Sequence, residues 1–213
     1  LLYEIKSHDR LAISKMVTQL ARGPISSPCA ACLLIRYISS SLAGWRGEST
    51  ASSVERAAYQ YLELSLKDRS EAVIFEAAKA LCSMPGADDR DLGPAVASLQ
   101  LFLSSPKPPL RLAAMRALSR VSTARPAALV KCNDDMEALI SDSNRSVATF
   151  AITTLLKTGS ESSVDRLMKQ ISSFMTEISD DFKVVVVTAI RELCLKYPPK
   201  HQVLIGFLAN FLR

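Results

Sequence analysis

Glycine and proline are scarce, at 7 and 10 of 213 residues, which excludes collagen-like and linker-like chains. Aromatic residues make up 6%, with one tryptophan, Trp45. There are two histidines. His8 lies near an N-terminal turn and His201 follows Pro199 and Lys200, so neither joins an acid–base constellation. Five cysteines are an odd number, which argues against a secreted disulfide framework and for reduced thiols in a cytosolic setting. Long apolar runs are also missing: the longest candidate, Val184 to Val187, is soon followed by Thr188, Arg191 and Glu192, far short of the roughly 18 residues of a membrane span. The start, Leu1-Leu2-Tyr3-Glu4-Ile5, has neither Met nor a basic region before an apolar stretch, so no signal peptide is expected. Both ends read as cuts through something longer.

The net charge is +5, too mild to argue for nucleic acid but compatible with an acidic partner or an anionic membrane surface. Against these shortages stands an apolar fraction of 48% with 22% charged residues. That excludes disorder, and a chain of this length buries about 70% of its unfolded surface.

The organising feature is an internal repeat. Ala77, Ala114, Ala151 and Ala189 recur at intervals of 37, 37 and 38 residues, as do Leu81, Leu118, Leu155 and Leu193. A large apolar residue, a small one four later and a Leu four after that form one stripe down a helix. The Ala lets a neighbouring helix backbone approach. Between these helices the same periodicity predicts others over 95–103, 127–140, 163–178 and 202–212, and a further pair upstream over 9–21 and 29–42. Gly86, Pro106, Pro108, Pro109, Pro126 and Pro198-Pro199 punctuate them, as helical hairpins require. Polar starts such as Asp68 to Ser70, Asp142 to Asn144 and Ser179 to Asp181 offer capping oxygens. No segment alternates at period two. Two helices per 37 or 38 residues matches the HEAT and armadillo class, so the expected fold is all-α, an α-solenoid of stacked helical hairpins. Residues 1–213 read as a single solenoid segment, with 43–53 as a long, divergent loop around Gly44, Trp45 and Gly47.

Catalytic chemistry finds no foothold. Cys29-Ala30-Ala31-Cys32 has redox or half-zinc-site spacing, but it opens a helix in a helical repeat and lacks a second ligand pair. Cys82, Cys132 and Cys194 are scattered singly in apolar settings, as core thiols are. Gly159 is followed by no phosphate-loop motif; it is expected to end one helix, with Ser160 capping the next. Asp180-Asp181 falls in a first helical turn, where acids complement the dipole. No catalytic, cofactor-binding or metal-binding residue is assigned. The charge distribution says more: Lys107, Arg111, Arg116, Arg120, Arg125 and Lys131 occur without one intervening acid. This segment is the candidate partner surface, weighed against an ordinary solvated face. Trp45 is a second candidate anchor, weighed against its folding back on its own helix pair.

Recognition enters with Ser141 to Ser146, Ala151 to Ser163 and Asp165 to Met175. Together with Asp9 to Ala12, Val96 to Lys107 and Lys196 to Pro198, they closely resemble the gamma-subunit family of coatomer, the COPI coat. The likeness is dispersed along nearly the whole chain except 43–53. It implies the middle of an adaptin-like trunk that cradles the longin-fold zeta subunit and pairs with the beta and delta subunits. It further implies recruitment to Golgi membranes by an Arf-family GTPase through the complete trunk, and cargo transport from Golgi to endoplasmic reticulum and within the Golgi. The localisation implied is cytoplasmic, peripheral to Golgi membranes and COPI-coated vesicles. A clathrin-adaptor large chain, an importin-like HEAT scaffold and a redox or metal protein built on Cys29 and Cys32 are the alternatives.

Overall fold

A computed structural model of the chain describes residues 15, 18–19, 25, 27–43, 51–84, 89–174 and 180–211. Among these every regular element is helical, and none is long and apolar enough to cross a membrane. The expected helix over 9–21, Gly86 and Trp45 fall largely or wholly outside the described residues. The chain divides into two compact units, 1–99 and 100–213.

In the first unit, α1 (Pro28–Ala43), α2 (Ala51–Ser65) and α3 (Glu71–Ser83) pack together, α3 touching both others. Of the segment 43–53, the first residue ends α1 and the last three open α2, while 44–50 lie outside the described residues. Ala31, Leu34, Ile35, Ile38 and Leu42 are buried along one stripe of α1, at the spacing an amphipathic helix requires. Glu76, buried on α3, accepts from Arg36 of α1 at 2.6 Å and from Lys79 at 2.8 Å. Burial alone would raise its carboxyl, but the two cationic donors outweigh it and hold it below the ordinary value.

Helix α4 (Asp89–Leu103) starts earlier than expected and runs through Gly93 and Pro94, both exposed. These residues mark a helix boundary by local propensity. The stripe Leu92, Ala95, Val96 and Leu99, all buried, overrides that preference, because tertiary packing supplies most helical stability.

The second unit holds α5 (Pro108–Ala124), α6 (Asn133–Ala138), α7 (Arg145–Thr158), α8 (Val164–Phe174), α9 (Asp180–Lys196) and α10 (His201–Phe211). Helix α7 packs on α5, α6 and α9, and α8 packs on α10. Pro108 and Pro109 open α5, where their missing N–H groups would lack partners anyway. The helix expected over 127–140 is instead broken: 3-10 turns over Pro126–Cys132 and Leu139–Ser141 flank the short α6. The buried residues mix two spacings: Leu129 and Cys132, and Met136 and Leu139, are three apart, while Cys132 and Met136, and Met136 and Ile140, are four apart, so no single helical stripe runs through the segment.

The repeat alanines and leucines lie inside as the pattern requires, Ala77, Ala114 and Ala151 with no exposure. Sandwiched α7 buries nine of its 14 residues, including three threonines whose hydroxyls are satisfied locally. Thr153 donates to the Thr149 carbonyl, Thr154 to that of Phe150, and Thr158 to Thr154 and to the Asn133 side chain. Buried hydroxyls need such partners. Asn144 caps α7 as expected, accepting from the Ser146 and Val147 backbone. Ser70 stands at an N-cap without a side-chain cap bond, and so does Ser160, whose hydroxyl meets that of Ser162.

Candidate interaction surface

The structure disperses the six basic residues of 107–131. Lys107 is the N-cap position of α5 and Arg125 its C-cap. Lys131 is exposed on the following 3-10 turn. Arg111 is committed inside the fold: Nε donates to Oδ2 of Asp142 at 2.8 Å, Nη2 to Oδ1 at 3.2 Å, and Nη1 to the Ser105 carbonyl. The pair is shielded, with the Asp142 side chain only 5% exposed. Burial would raise the Asp142 carboxyl, but Arg111 and the Asn144 backbone N–H hold it below its ordinary value. Arg111 therefore anchors α5 to the start of α7.

Arg116 and Arg120 remain as surface groups. Both are exposed, one turn apart on α5, and neither is paired among the described residues. Thr123, also exposed, continues their stripe at i+3 from Arg120. This stripe runs into a groove of about 290 Å³ where α5, α7 and α9 end. Leu156 and Leu193 are among its lining residues, each nearly fully buried. Ser122, Thr123, Pro126, Lys157, Glu192 and Lys196 complete the lining. Lys157 Nζ donates to the Thr123 hydroxyl at 3.1 Å, and Lys196 Nζ lies 5.0 Å from the centroid of the Tyr197 ring.

A linear scan for charge misses Lys157 and Lys196. The repeat register carried the signal: Lys157 stands two residues after Leu155, as Arg120 stands two after Leu118.

Cys194, next to Leu193, is half-buried, and burial raises its thiol. Cys132 is buried, and burial with the nearby Asp135 charge pushes it up to about 11; burial alone pushes Cys82 up to about 12. Burial, then the Glu76 charge, raises Cys32 as well, opposite to the activation a redox thiol requires. No group of three His, Cys, Asp or Glu among the described residues is arranged to hold a metal. His201 is exposed, its Nδ1 at 2.6 Å from the Pro198 carbonyl.

A designed armadillo repeat protein matches 90% of this chain and 87% of its own, with TM-score 0.64 at 17% identity. A second computationally designed armadillo protein gives TM-score 0.61 over 91% of this chain and 87% of its own, also at 17% identity. The fold is thus an α-solenoid of HEAT/armadillo-like helix pairs. In sequence, coatomer subunit gamma-2 of Oryza sativa subsp. japonica is 55% identical, coatomer subunit gamma of Arabidopsis thaliana 54%, and coatomer subunit gamma-1 of Homo sapiens 53%, each over 100% of this chain. The chain spans about a quarter of the length of these relatives, 24% in each case. The family described as adaptin N terminal region matches residues 1–213. An all-helical repeat, its buried alanine register and a full-length match thus agree: the chain belongs to the adaptin N-terminal-region family, and coatomer gamma subunits are among its relatives there.

Proposed function

We propose that this chain is a stretch of the trunk of a COPI coat subunit, working as an interaction scaffold rather than an enzyme. The observation that carries the reading is the match of all 213 residues to coatomer gamma subunits at 53–55% identity. In this reading residues 1–213 are one solenoid segment of a longer trunk, which cradles the longin-fold zeta subunit and pairs with the beta and delta subunits. The complete trunk is recruited by an Arf-family GTPase to the cytosolic face of Golgi membranes and serves Golgi-to-ER and intra-Golgi transport. A surface preformed by packed helices loses little backbone freedom on association, which suits a subunit that holds others. The basic segment supplies the partner surface through Arg116, Arg120 and Lys131 rather than through Arg111, whose charge Asp142 already takes.

Co-expression with a longin-fold zeta subunit tests the reading, and a stable one-to-one complex is expected. A folded chain that leaves zeta free and copurifies with clathrin-adaptor subunits would overturn it. Joint Arg116→Glu and Arg120→Glu reversal is expected to weaken zeta binding or membrane recruitment. Unchanged binding with intact helical content removes the basic surface from the scheme.

A further inference from the structure

Serine precedes proline twice in the sequence, at Ser27-Pro28 and at Ser105-Pro106. The two junctions fold differently. Pro28 is the first residue of α1, and the Ser27 carbonyl already accepts a bond from the Ala31 N–H at 3.0 Å. The residues that follow Ser27 are therefore held in helix. Ser105 stands in the connection 104–107 between α4 and α5, where no residue belongs to a helix. Proline follows both Ser105 and Lys107, which turns the backbone of each away from helix and toward extended conformations. Lys107 accordingly adopts φ −87° and ψ 108°. Ser104, Pro106, Lys107, Pro108 and Pro109 are exposed, and Ser105 is half-buried. A hydroxyl is thus carried on a short, accessible, non-helical stretch.

That is the form in which a protein kinase takes its substrate, since the chain on either side of the acceptor hydroxyl must lie extended in the cleft. Pro106 adds selectivity. A cleft that offers no acceptor to the residue after the hydroxyl strands an ordinary backbone N–H, and proline has none to strand.

The surroundings also suit the product. Ser105 Oγ accepts from the Lys107 backbone N–H at 3.2 Å, at the N-cap position of α5. The first turn of that 17-residue helix holds no acid to offset its positive end. Arg111 Nη1 donates to the carbonyl of Ser105 itself at 2.8 Å, which sets a guanidinium beside any group carried on that residue. Asp142 takes Nε and Nη2, leaving the second N–H of Nη1 as a donor among the described residues.

We propose that Ser105 is a phosphorylation site for a proline-directed protein kinase, with Pro106 as the specificity residue and Arg111 as the group that receives the phosphate. In the transfer the bond from Ser105 Oγ to the γ-phosphorus of ATP forms as the bond from that phosphorus to the bridging oxygen breaks. ADP leaves, and the hydroxyl proton passes to the catalytic Asp of the kinase. The product carries a charge of about −1.5 to −2 at neutral pH. Asp142 opposes that charge, while Arg111, Lys107 and the start of α5 favour it.

The test incubates the whole 213-residue chain with a mitogen-activated protein kinase, magnesium and ATP, and maps the product by peptide mass spectrometry. Stoichiometric phosphate at Ser105 is expected. Ser105→Ala should abolish it, and Pro106→Ala, at an exposed position, should slow it about tenfold with circular dichroism unchanged. By phosphorus NMR the phosphate should titrate about 0.5 pH unit below the same phosphoserine in a free peptide of residues 101–109, because the peptide lacks both Arg111 and the helix. No phosphate at Ser105, phosphate at Ser27 in its place, or a rate indifferent to Pro106→Ala would overturn the proposal. Equal titration in chain and peptide would overturn the role given to Arg111.

Discussion

Asp142 shows how much one side chain can hold. Its carboxylate takes two donors from Arg111 and the backbone N–H of Asn144, so it fixes both the position of α5 and the turn into α7. Removing one partner of a shielded pair leaves a charge buried without compensation. Asp142→Asn is expected to lower unfolding stability by about 3 kcal/mol at neutral pH, measured by urea denaturation. The sign with pH follows from the depressed carboxyl. Its contribution is complete above the ordinary carboxylate range and lost as pH falls through the lower folded value. The gap between parent and Asn variant should therefore shrink on acidification below about pH 4. A constant gap would mean that the pair contributes little.

At the scale of helices and their ends, two glycines make opposite predictions. Gly159 ends α7 as expected, with φ −59°, ordinary for any residue, so backbone conformation is not why it is glycine. The reason is space: a Cβ there would stand 2.8 Å from the Leu155 carbonyl oxygen and 3.2 Å from Leu167 Cδ1. Gly159→Ala should destabilise by about 2 kcal/mol, read as a lowered thermal midpoint. Gly206 sits exposed within α10 with nothing within 4 Å of a Cβ, so Gly206→Ala should stabilise by about 0.5–1 kcal/mol. Elements were legible wherever a stripe was regular: 73–81, 110–118, 147–155 and 185–193 all lie inside observed helices. They were misread where local and tertiary preferences conflict, as when Pro94 hid the start of α4. The break at 126–141 was missed because three- and four-residue spacings mix there. The surface was legible only in part, since linear charge finds Arg116 and Arg120 but cannot tell that Arg111 is spent on Asp142, 31 residues away.

For the molecule as a whole, a repeat architecture distributes stability over neighbouring interfaces rather than one central core. Met136 has no exposed surface in the second unit, and Met136→Ala should cost about 2–5 kcal/mol. Followed by amide exchange, the loss of protection should be greatest in α5, α6 and α7 and should fade with distance along the chain. A uniform loss across every described helix would instead indicate one all-or-none transition. The family itself was readable because the blocks that carry the resemblance lie along nearly the whole chain, whereas partner choice is written in side-chain placement that only folding reveals.

The shielded thiols carry a practical consequence. Cys82 belongs to the first unit and is partly exposed, whereas Cys132 of the second is buried; burial raises both thiols, so both stay protonated at neutral pH. Exposed Cys29 serves as the accessible reference. Alkylation of Cys132 followed by peptide mass mapping would then clock the breathing of the second unit, with a native sulfur atom as the stopwatch and no probe engineered in.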